Sequence, residues 1–441
     1  MNIKLDEFKK YIKMKKVAVL GIGVSNTPLI IYLAKMGVDI TAFDRADELK
    51  LQQVIEKLKG YDVKYSLGEK YLENLNGFDV VFRTPGMRPD LPELVKEKDR
   101  GAVITSEMEV FMDLCPAKIF AVTGSDGKTT TTTLIYTMLK EQGYKCWLGG
   151  NIGFPLLSSI DEVADDDKVV LELSSFQLQT MRKSPDVAVI TNVSPNHLDV
   201  HKSIDEYIDA KKNIFKYQKD TDRIVLNHDN ETTRSFSNEA KGKVVLFSRL
   251  ENLQEGAFCK EGKLVYRNAN GETELVDADE IIIPGRHNIE NYLAAIAVVI
   301  DYVEPAAIRK VANTFKGVEH RNEPVRELNG VKFYNDSIGT SPSRTIASLN
   351  AFAQKVILIA GGYDKKIPYD VMGEVLAEKV KCLVLMGKTG PKIEAALKKE
   401  IERTGRGKDT AVVYCSSLEE AVESAYRAAV SGDIIIMSPL T

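Results

Sequence analysis

Cysteine is scarce in this chain of 441 residues. Its five cysteines (Cys115, Cys146, Cys259, Cys382 and Cys415) are scattered, and none forms a Cys-x-x-Cys pair. This excludes a zinc knuckle and a disulfide framework and fits a reducing compartment. Long hydrophobic runs are also missing. No stretch of about 18 or more apolar residues occurs, so no transmembrane helix is expected. The opening Met1-Asn2-Ile3-Lys4-Leu5-Asp6 carries no apolar signal-peptide core, and the cytoplasm is the expected location. Neither charge sign dominates: the net charge of −4 argues against a general nucleic-acid or membrane-surface binder. Internal repeats and low-complexity tracts are absent as well.

What is present is a globular composition, 44% hydrophobic and 28% charged, in a chain long enough for about two to four domains. Short apolar runs alternate with stretches of helical period. They include Val17–Leu20, Ile119–Val122, Val169–Leu173, Val187–Ile190, Val356–Ile359, Leu383–Met386 and Ile434–Ile436. Buried parallel strands read this way, and their alternation with helices predicts an α/β fold. Three blocks are expected, 1–106, 107–317 and 318–441. They are a Rossmann-like N-terminal domain, a central P-loop ATPase-type domain with a mostly parallel sheet, and a C-terminal Rossmann-like domain. Ligands of such sheets bind beyond the carboxyl ends of the strands, so the chemistry is sought just after each apolar run.

After the run Ile119–Val122 comes Thr123-Gly124-Ser125-Asp126-Gly127-Lys128-Thr129, and Thr130 to Gln142 has helical character. Two glycines allow backbone N–H groups to face phosphate oxygens at a helix N-terminus. Lys128 can neutralise β- and γ-phosphate charge, and the Thr129 hydroxyl can sit on Mg²⁺. The usual pattern has a glycine where this chain has Val122, so the loop is a shorter variant. A chance Gly-rich turn is the bland alternative, and the strand-then-helix setting weighs against it. Asp126 is out of place beside phosphates unless its side chain turns away or meets a metal-bound water.

A second Gly turn, Gly21-Ile22-Gly23-Val24-Ser25-Asn26, follows Val17–Leu20. Asn26 replaces the third glycine of a dinucleotide fingerprint. Asp44 lies at a distance that suits a carboxylate at a nucleotide's ribose or base. On these residues alone, a nucleotide site and a ligand-free βα turn stand level.

The run Leu171-Glu172-Leu173-Ser174-Ser175-Phe176-Gln177-Leu178 resembles a signature of the Mur ligases, in the form carried by their D-glutamate-adding members. Other segments agree in order and spacing. They are the phosphate loop, Gly150-Asn151-Ile152-Gly153, Asn192 through His197-Leu198-Asp199, Gly285-Arg286-His287-Asn288 with Asn291, His320-Arg321, Asn335-Asp336-Ser337, and Gly361-Gly362 with Lys365. The resemblance covers nearly the whole chain. The phosphate loop is common to Mur ligases and folylpolyglutamate synthetases, and the Ser-Ser-Phe-Gln run is what points to the D-glutamate branch.

The resemblance implies an ADP-forming ligase of cytoplasmic peptidoglycan precursor synthesis, using ATP, two Mg²⁺ ions, UDP-N-acetylmuramoyl-L-alanine and D-glutamate. The alanyl carboxylate would be activated as an acyl phosphate and then attacked by the D-glutamate amine. It implies catalytic roles for Lys128, Glu172, His197 and Lys211, with Thr129, Glu172, His197 and Lys211 around the metal. Lys211 aligns with a lysine that is carbamylated in the family, although its surroundings alone read as an exposed helix lysine. ATP contacts fall on Gly124, Ser125, Asp126, Gly127, Lys128, Thr129, Thr130, Asn288, Asn291, Arg321 and Asp336. Val24, Ser25, Asp44, Arg45, Thr84, Asn151, Gln177 and His197 match contacts to the UDP substrate, which favours UDP over NAD at the first Gly turn. Thr340 and Lys365 match positions near D-glutamate. A monomer without nucleic-acid partners or membrane insertion is expected.

Two departures stand out. The family commonly has Asp-Ser-Lys-Ala-Thr where this chain has Asp336-Ser337-Ile338-Gly339-Thr340, so a cation is missing at Ile338. Ser438-Pro439-Leu440-Thr441 corresponds to the start of a loop and helix that complete the D-glutamate pocket in the family. Competing readings are a ligase-derived nucleotide binder with no or impaired activity, a Mur-type ligase for another amino acid, and a phosphotransferase. Without the further segment, ATP and UDP-substrate binding are expected to be largely kept and ligation to be weak or absent. Adding a family-like tail should then raise turnover, and equal turnover with and without it rejects this expectation.

Overall fold

The computed structural model describes residues 2–23, 26–194, 200–283, 285–364 and 368–440. The chain separates into two compact units, residues 1–276 with 290–311, and residues 277–289 with 312–441.

The first unit holds two sheets. A five-stranded parallel sheet runs in the order Val63–Leu67, Asp39–Asp44, Lys16–Leu20, Val80–Arg83, Val103–Thr105. This order, reversing at Lys16–Leu20, is that of a nucleotide-binding doubly wound sheet. The second sheet has nine strands. Its parallel core runs Lys243–Ser248, Arg223–Asn227, Val187–Ile190, Lys118–Thr123, Lys168–Glu172, Cys146–Gly150. Val187–Ile190 is buried throughout and Lys118–Thr123 at every residue but Lys118, as expected for central strands covered on both faces. Beyond Lys243–Ser248 lies an extension, Gly256–Lys260, Lys263–Asn268 and Gly271–Asp277. Gly256–Lys260 and Lys263–Asn268 pair antiparallel. The sequence reading missed this extension, because its strands carry mixed polar residues rather than apolar runs.

The second unit contains a six-stranded sheet in the order Glu323–Leu328, Val331–Asn335, Ile434–Met437, Val356–Gly362, Val380–Gly387, Ala411–Tyr414. It is parallel except for the first pair. Helix Pro342–Asn350 follows the turn that leaves Val331–Asn335.

Helix Lys128–Glu141 begins with five consecutive threonines, a composition that disfavours a helix because β-branched side chains lose rotamer freedom there. Three of its hydroxyls are satisfied locally: Thr132, Thr133 and Thr137 donate to the carbonyls of Lys128, Thr129 and Thr133 at 2.8, 2.7 and 2.8 Å. Burial of Leu134, Ile135, Met138 and Leu139 against the central sheet supplies what propensity does not.

Candidate functional site

The phosphate loop leaves the carboxyl end of strand Lys118–Thr123 as the sequence reading requires. Gly124 has φ 152° and Gly127, which caps helix Lys128–Glu141, has φ 76°. A Cβ at Gly127 would lie 2.3 Å from Asn291 Oδ1 and one at Gly124 would lie 1.9 Å from Thr191 Oγ1, so both positions require glycine on space as well as conformation. The neighbouring strand end fastens the loop. Asp126 N donates to Asn192 Oδ1 at 2.9 Å, and Thr191 Oγ1 and Asn192 Nδ2 donate to Asp126 O at 2.6 and 3.2 Å. The Asp126 residue itself is exposed, which removes the sequence objection to an acid in this loop. Ser125 is buried, its hydroxyl 2.9 Å from the Tyr207 hydroxyl and donating to Ser194 O at 2.9 Å.

Lys128 Nζ donates to Gly124 O at 3.0 Å and Ser125 O at 2.9 Å. Lys211 is not the exposed helix lysine that its surroundings in the sequence suggested. It is 1% exposed, and its Nζ donates to the same Gly124 O at 2.7 Å and to Thr123 Oγ1 at 3.3 Å, over the Tyr207 ring. The reason is register: Tyr207, Ala210, Lys211, Ile214 and Phe215 form the buried i, i+3, i+4, i+7, i+8 stripe of helix Ile204–Lys216. Burial, and next the positive charge of Lys128, hold the Lys211 amine well below the ordinary lysine range, opposed by Asp126 and Glu172.

Glu172 ends strand Lys168–Glu172 and is 1% exposed. Asn151 Nδ2 donates to its Oε1 at 2.7 Å, and Asn151 N donates to its backbone oxygen at 2.8 Å. Its Oε2 is buried with no hydrogen-bond partner among the described residues. An orphaned buried carboxylate oxygen costs stability unless something binds it, and a hard cation is the partner that suits an oxygen donor. Among the described residues no cluster of three or more His, Cys, Asp or Glu side chains surrounds a metal position. His197 lies outside the described residues, as do Val24, Ser25 and Lys365.

The Ser-Ser-Phe-Gln segment forms a capping box. Ser174 Oγ accepts from Gln177 N at 3.2 Å, while Gln177 Oε1 accepts from Ser174 N at 2.9 Å. The box uses the oxygen of Gln177 and leaves its NH₂ end for another partner. Gln177 and Asn151 line one cavity of about 220 Å³ together with Asn26, Arg83 and Glu107. Sequence reasoning missed Arg83. It ends strand Val80–Arg83, is 1% exposed, and donates through Nη1 to Met87 O at 2.8 Å and through Nη2 to Thr180 Oγ1 at 2.5 Å. A charged residue closing an apolar strand was the available signal.

At the first Gly turn the Asp44 carboxylate accepts from Ile22 N at 2.7 Å and from Ala46 N at 2.8 Å, so it braces the turn's backbone. Asn26, in place of the third glycine, is buried and donates to the carbonyls of Leu20 and Gly21, both at 3.0 Å. Thr84 packs on Gly21. Arg45 directly follows strand Asp39–Asp44, while Thr129 and Thr130 lie in the first turn of helix Lys128–Glu141.

Asn288 and Asn291 are buried on helix Arg286–Val299, and Thr131 Oγ1 donates to Asn291 Oδ1 at 3.3 Å. In the second unit, Arg321 sits between two non-glycine residues with left-handed backbone, His320 (φ 63°) and Asn322 (φ 41°). Asp336 is 2% exposed and its Oδ2 accepts from Ser348 Oγ and Ser438 Oγ, both at 2.7 Å. Burial raises its pKa above the ordinary carboxylate value against these bonds. Thr340 N donates to Ile338 O at 2.8 Å, closing a tight turn after Asp336.

A glycine-bounded loop between strand and helix, a buried acid with one oxygen that has no hydrogen-bond partner among the described residues, and a buried lysine at the loop's carbonyl meet at the carboxyl end of the central strands. Family comparison makes this specific. Residues 15–106 match the Mur ligase MurD-like N-terminal domain, 122–299 the Mur ligase middle domain, and 320–440 the Mur ligase glutamate ligase domain. The chain belongs to the Mur ligase family, with three α/β domains. Across its whole length it is 68% identical to the UDP-N-acetylmuramoylalanine–D-glutamate ligase of Acetivibrio thermocellus and 62% identical to that of Ruminiclostridium cellulolyticum, spanning 94% of each. In fold it is similar to UDP-N-acetylmuramate–alanine ligase MurC of Thermotoga maritima (TM-score 0.62, 20% identity, 97% of this chain and 96% of that one). A pseudomurein peptide ligase type C of Methanothermus fervidus is likewise similar (TM-score 0.57, 19% identity, 96% of each chain).

The lowered pKa of Lys211 has a consequence for stability. Between that lowered value and the ordinary lysine value of about 10.4, the unfolded chain binds more protons than the folded one, so stability rises with pH across this window. In bicarbonate-free buffer, Lys211→Met should stabilise the protein at neutral pH and flatten the slope, as read by urea unfolding at several pH values. An unchanged slope contradicts the buried, proton-averse lysine.

Proposed function

We propose that this chain joins D-glutamate to UDP-N-acetylmuramoyl-L-alanine at the expense of ATP, through an acyl phosphate, in peptidoglycan precursor synthesis. The observation that carries the reading is the full-length 68% identity to a ligase of that name. The gathering of Lys128, Asp126 and Glu172 within electrostatic reach of the buried Lys211 supports it. We take the enzyme to be a cytoplasmic monomer without nucleic-acid or membrane partners. Among the described residues no helix is long and apolar enough to cross a membrane. Blocks 1–106, 107–317 and 318–441 would serve the UDP substrate, ATP and the amino acid in turn.

A free carboxylate is a poor acyl donor, because oxide is a poor leaving group. In the proposed reaction the alanyl carboxylate oxygen attacks the γ-phosphorus of ATP, the bond to the bridging oxygen breaks and ADP leaves. The D-glutamate amine then attacks the acyl carbon, the bond to the phosphate oxygen breaks, and inorganic phosphate departs as the amide forms. Both steps crowd negative charge, and Lys128 answers it. Its ammonium is held by loop carbonyls at the helix N-terminus, where incoming phosphate oxygens would replace them. When bound, Mg²⁺ supplies charge neutralisation at the phosphates. Glu172, with its unpartnered Oε2, and Thr129 are the residues to hold it, with His197 and a carbamylated Lys211 around a second ion.

Burial favours that modification of Lys211, since only an unprotonated amine adds to CO₂ and desolvation favours the neutral form. Carbamylation would convert a cation among cations into an anion. The loop backbone from Gly124 to Thr130 cradles the phosphates, while Asn288 and Asn291 read the adenine and Arg321 and Asp336 are assigned to the same ATP. Val24, Ser25, Asp44, Arg45 and Thr84 are assigned to the UDP group. Because Asp44 already accepts two backbone N–H groups, its part there is to shape the turn. Asn151, Gln177 and His197 take the middle of the substrate, and Thr340 and Lys365 the D-glutamate.

Phosphate release should depend on both UDP-N-acetylmuramoyl-L-alanine and D-glutamate, with L-glutamate, L-lysine and D-alanine as poor replacements. Preference for another amino acid overturns the substrate assignment and leaves the ATP chemistry standing. Lys128→Ala should lower kcat by roughly 100-fold or more, as removal of a transition-state charge contact does. Near-normal ATP turnover in that variant refutes the role.

A further inference from the structure

The cation that the family carries at position 338 is absent here, where Ile338 stands. We propose that Arg344 supplies it, presenting its guanidinium to a carboxylate of the incoming D-glutamate. The inference rests on the ligase reading above.

Arg344 lies six residues on from Ile338, in the first turn of helix Pro342–Asn350, yet its Nη1 reaches back to donate to Ile338 O at 3.2 Å. The guanidinium therefore lies against the backbone of the position where the family carries its lysine. The same carbonyl accepts from Thr340 N at 2.8 Å, which ties the Arg344 head to Thr340, a residue the resemblance sets near D-glutamate. Ile338 N in turn donates to His320 O at 3.3 Å, beside Arg321.

Structural duty does not account for this arginine. A cation in the first turn opposes the helix dipole, and no acidic residue shares that turn. Arg344 is exposed and, among the described residues, meets no carboxylate. The turn is fastened to the helix without it. Thr345 Oγ1 donates to Gly339 O at 3.3 Å and is 2.7 Å from Ser438 Oγ, while Ser348 Oγ donates to Asp336 Oδ2 at 2.7 Å. These buried bonds fix the helix against the turn, so the Arg344 head starts from a rigid base. One carbonyl satisfies one of its five N–H donors, and the planar fork matches a carboxylate in two-pronged geometry. Gly339 belongs to the same arrangement. A Cβ there would lie 2.2 Å from Ser438 Oγ and 2.3 Å from Asp336 Oδ2, so the family's alanine does not fit this turn as packed. Both departures from the family pattern, at 338 and 339, thus lie in one turn that Arg344 also contacts.

Wild-type protein, R344K, R344M and the double variant I338K/R344M are compared with D-glutamate or ATP varied in turn and the other substrates saturating, each first checked for an unchanged unfolding midpoint. R344M should raise the KM for D-glutamate roughly 10–100-fold, the scale of a lost charge-assisted contact, with kcat and the KM for ATP within about threefold. R344K should fall between, and I338K in the R344M background should recover most of the affinity. An unchanged D-glutamate KM in R344M overturns the proposal. So does a loss confined to the ATP KM or to acyl-phosphate formation without D-glutamate, which would put Arg344 on phosphate instead, and so does failure of I338K to restore binding. If wild-type phosphate release ignores D-glutamate, the ligase reading itself falls and the proposal with it. That result is separate from any in which only the variants disagree.

Discussion

Two ammonium groups, those of Lys128 and Lys211, donate to a single oxygen, the carbonyl of Gly124. Like charges this close repel, and little water reaches Lys211 to screen them. The arrangement holds because strand Val187–Ile190 and the residues after it grip the loop from the side through Thr191 and Asn192, while Tyr207 holds Ser125 from below. The loop's own carbonyls, those of Gly124 and Ser125, are the partners of these lysines. Much else follows from this arrangement: why Gly124 and Gly127 tolerate no side chain, why Asp126 points its backbone inward, and why Lys211 is driven toward its neutral form.

The acid on the neighbouring strand answers the same field. Glu172 closes the strand that pairs with the one leading into the loop, with Asn151 fixing one carboxylate oxygen and the other without a hydrogen-bond partner among the described residues. Asn151 also borders the cavity that Gln177 and Arg83 share. A single amide therefore links that carboxylate to the wall of the cavity. The Ser174–Gln177 capping box explains why that wall is reproducible in shape: it locks the glutamine's rotamer through its oxygen.

The second unit shows how one site tolerates change. In the turn after Asp336 a Cβ at Gly339 would clash with Ser438 and Asp336, and the Ile338 carbonyl accepts from Arg344. If the proposal holds, a residue on the following helix carries the charge that the family places in the turn.

The sequence by itself determined the α/β class, the strand–loop–helix of the phosphate seat and the acid closing Lys168–Glu172. In each case the signal is local, an apolar run followed by residues whose backbone or charge only that chemistry needs. Motif resemblance added Lys211, Asn151 and Gln177, without a physical reason for any of them. Only the tertiary structure decided the rest. It buried Lys211 by the register of a helix whose stripe includes one lysine, used Asp44 as a brace for the Gly turn, and drew Arg83 into the cavity. It also built the antiparallel extension from strands without apolar runs. Burial and partnership arise between segments distant in the chain, where the energy of a polar group depends on what covers it.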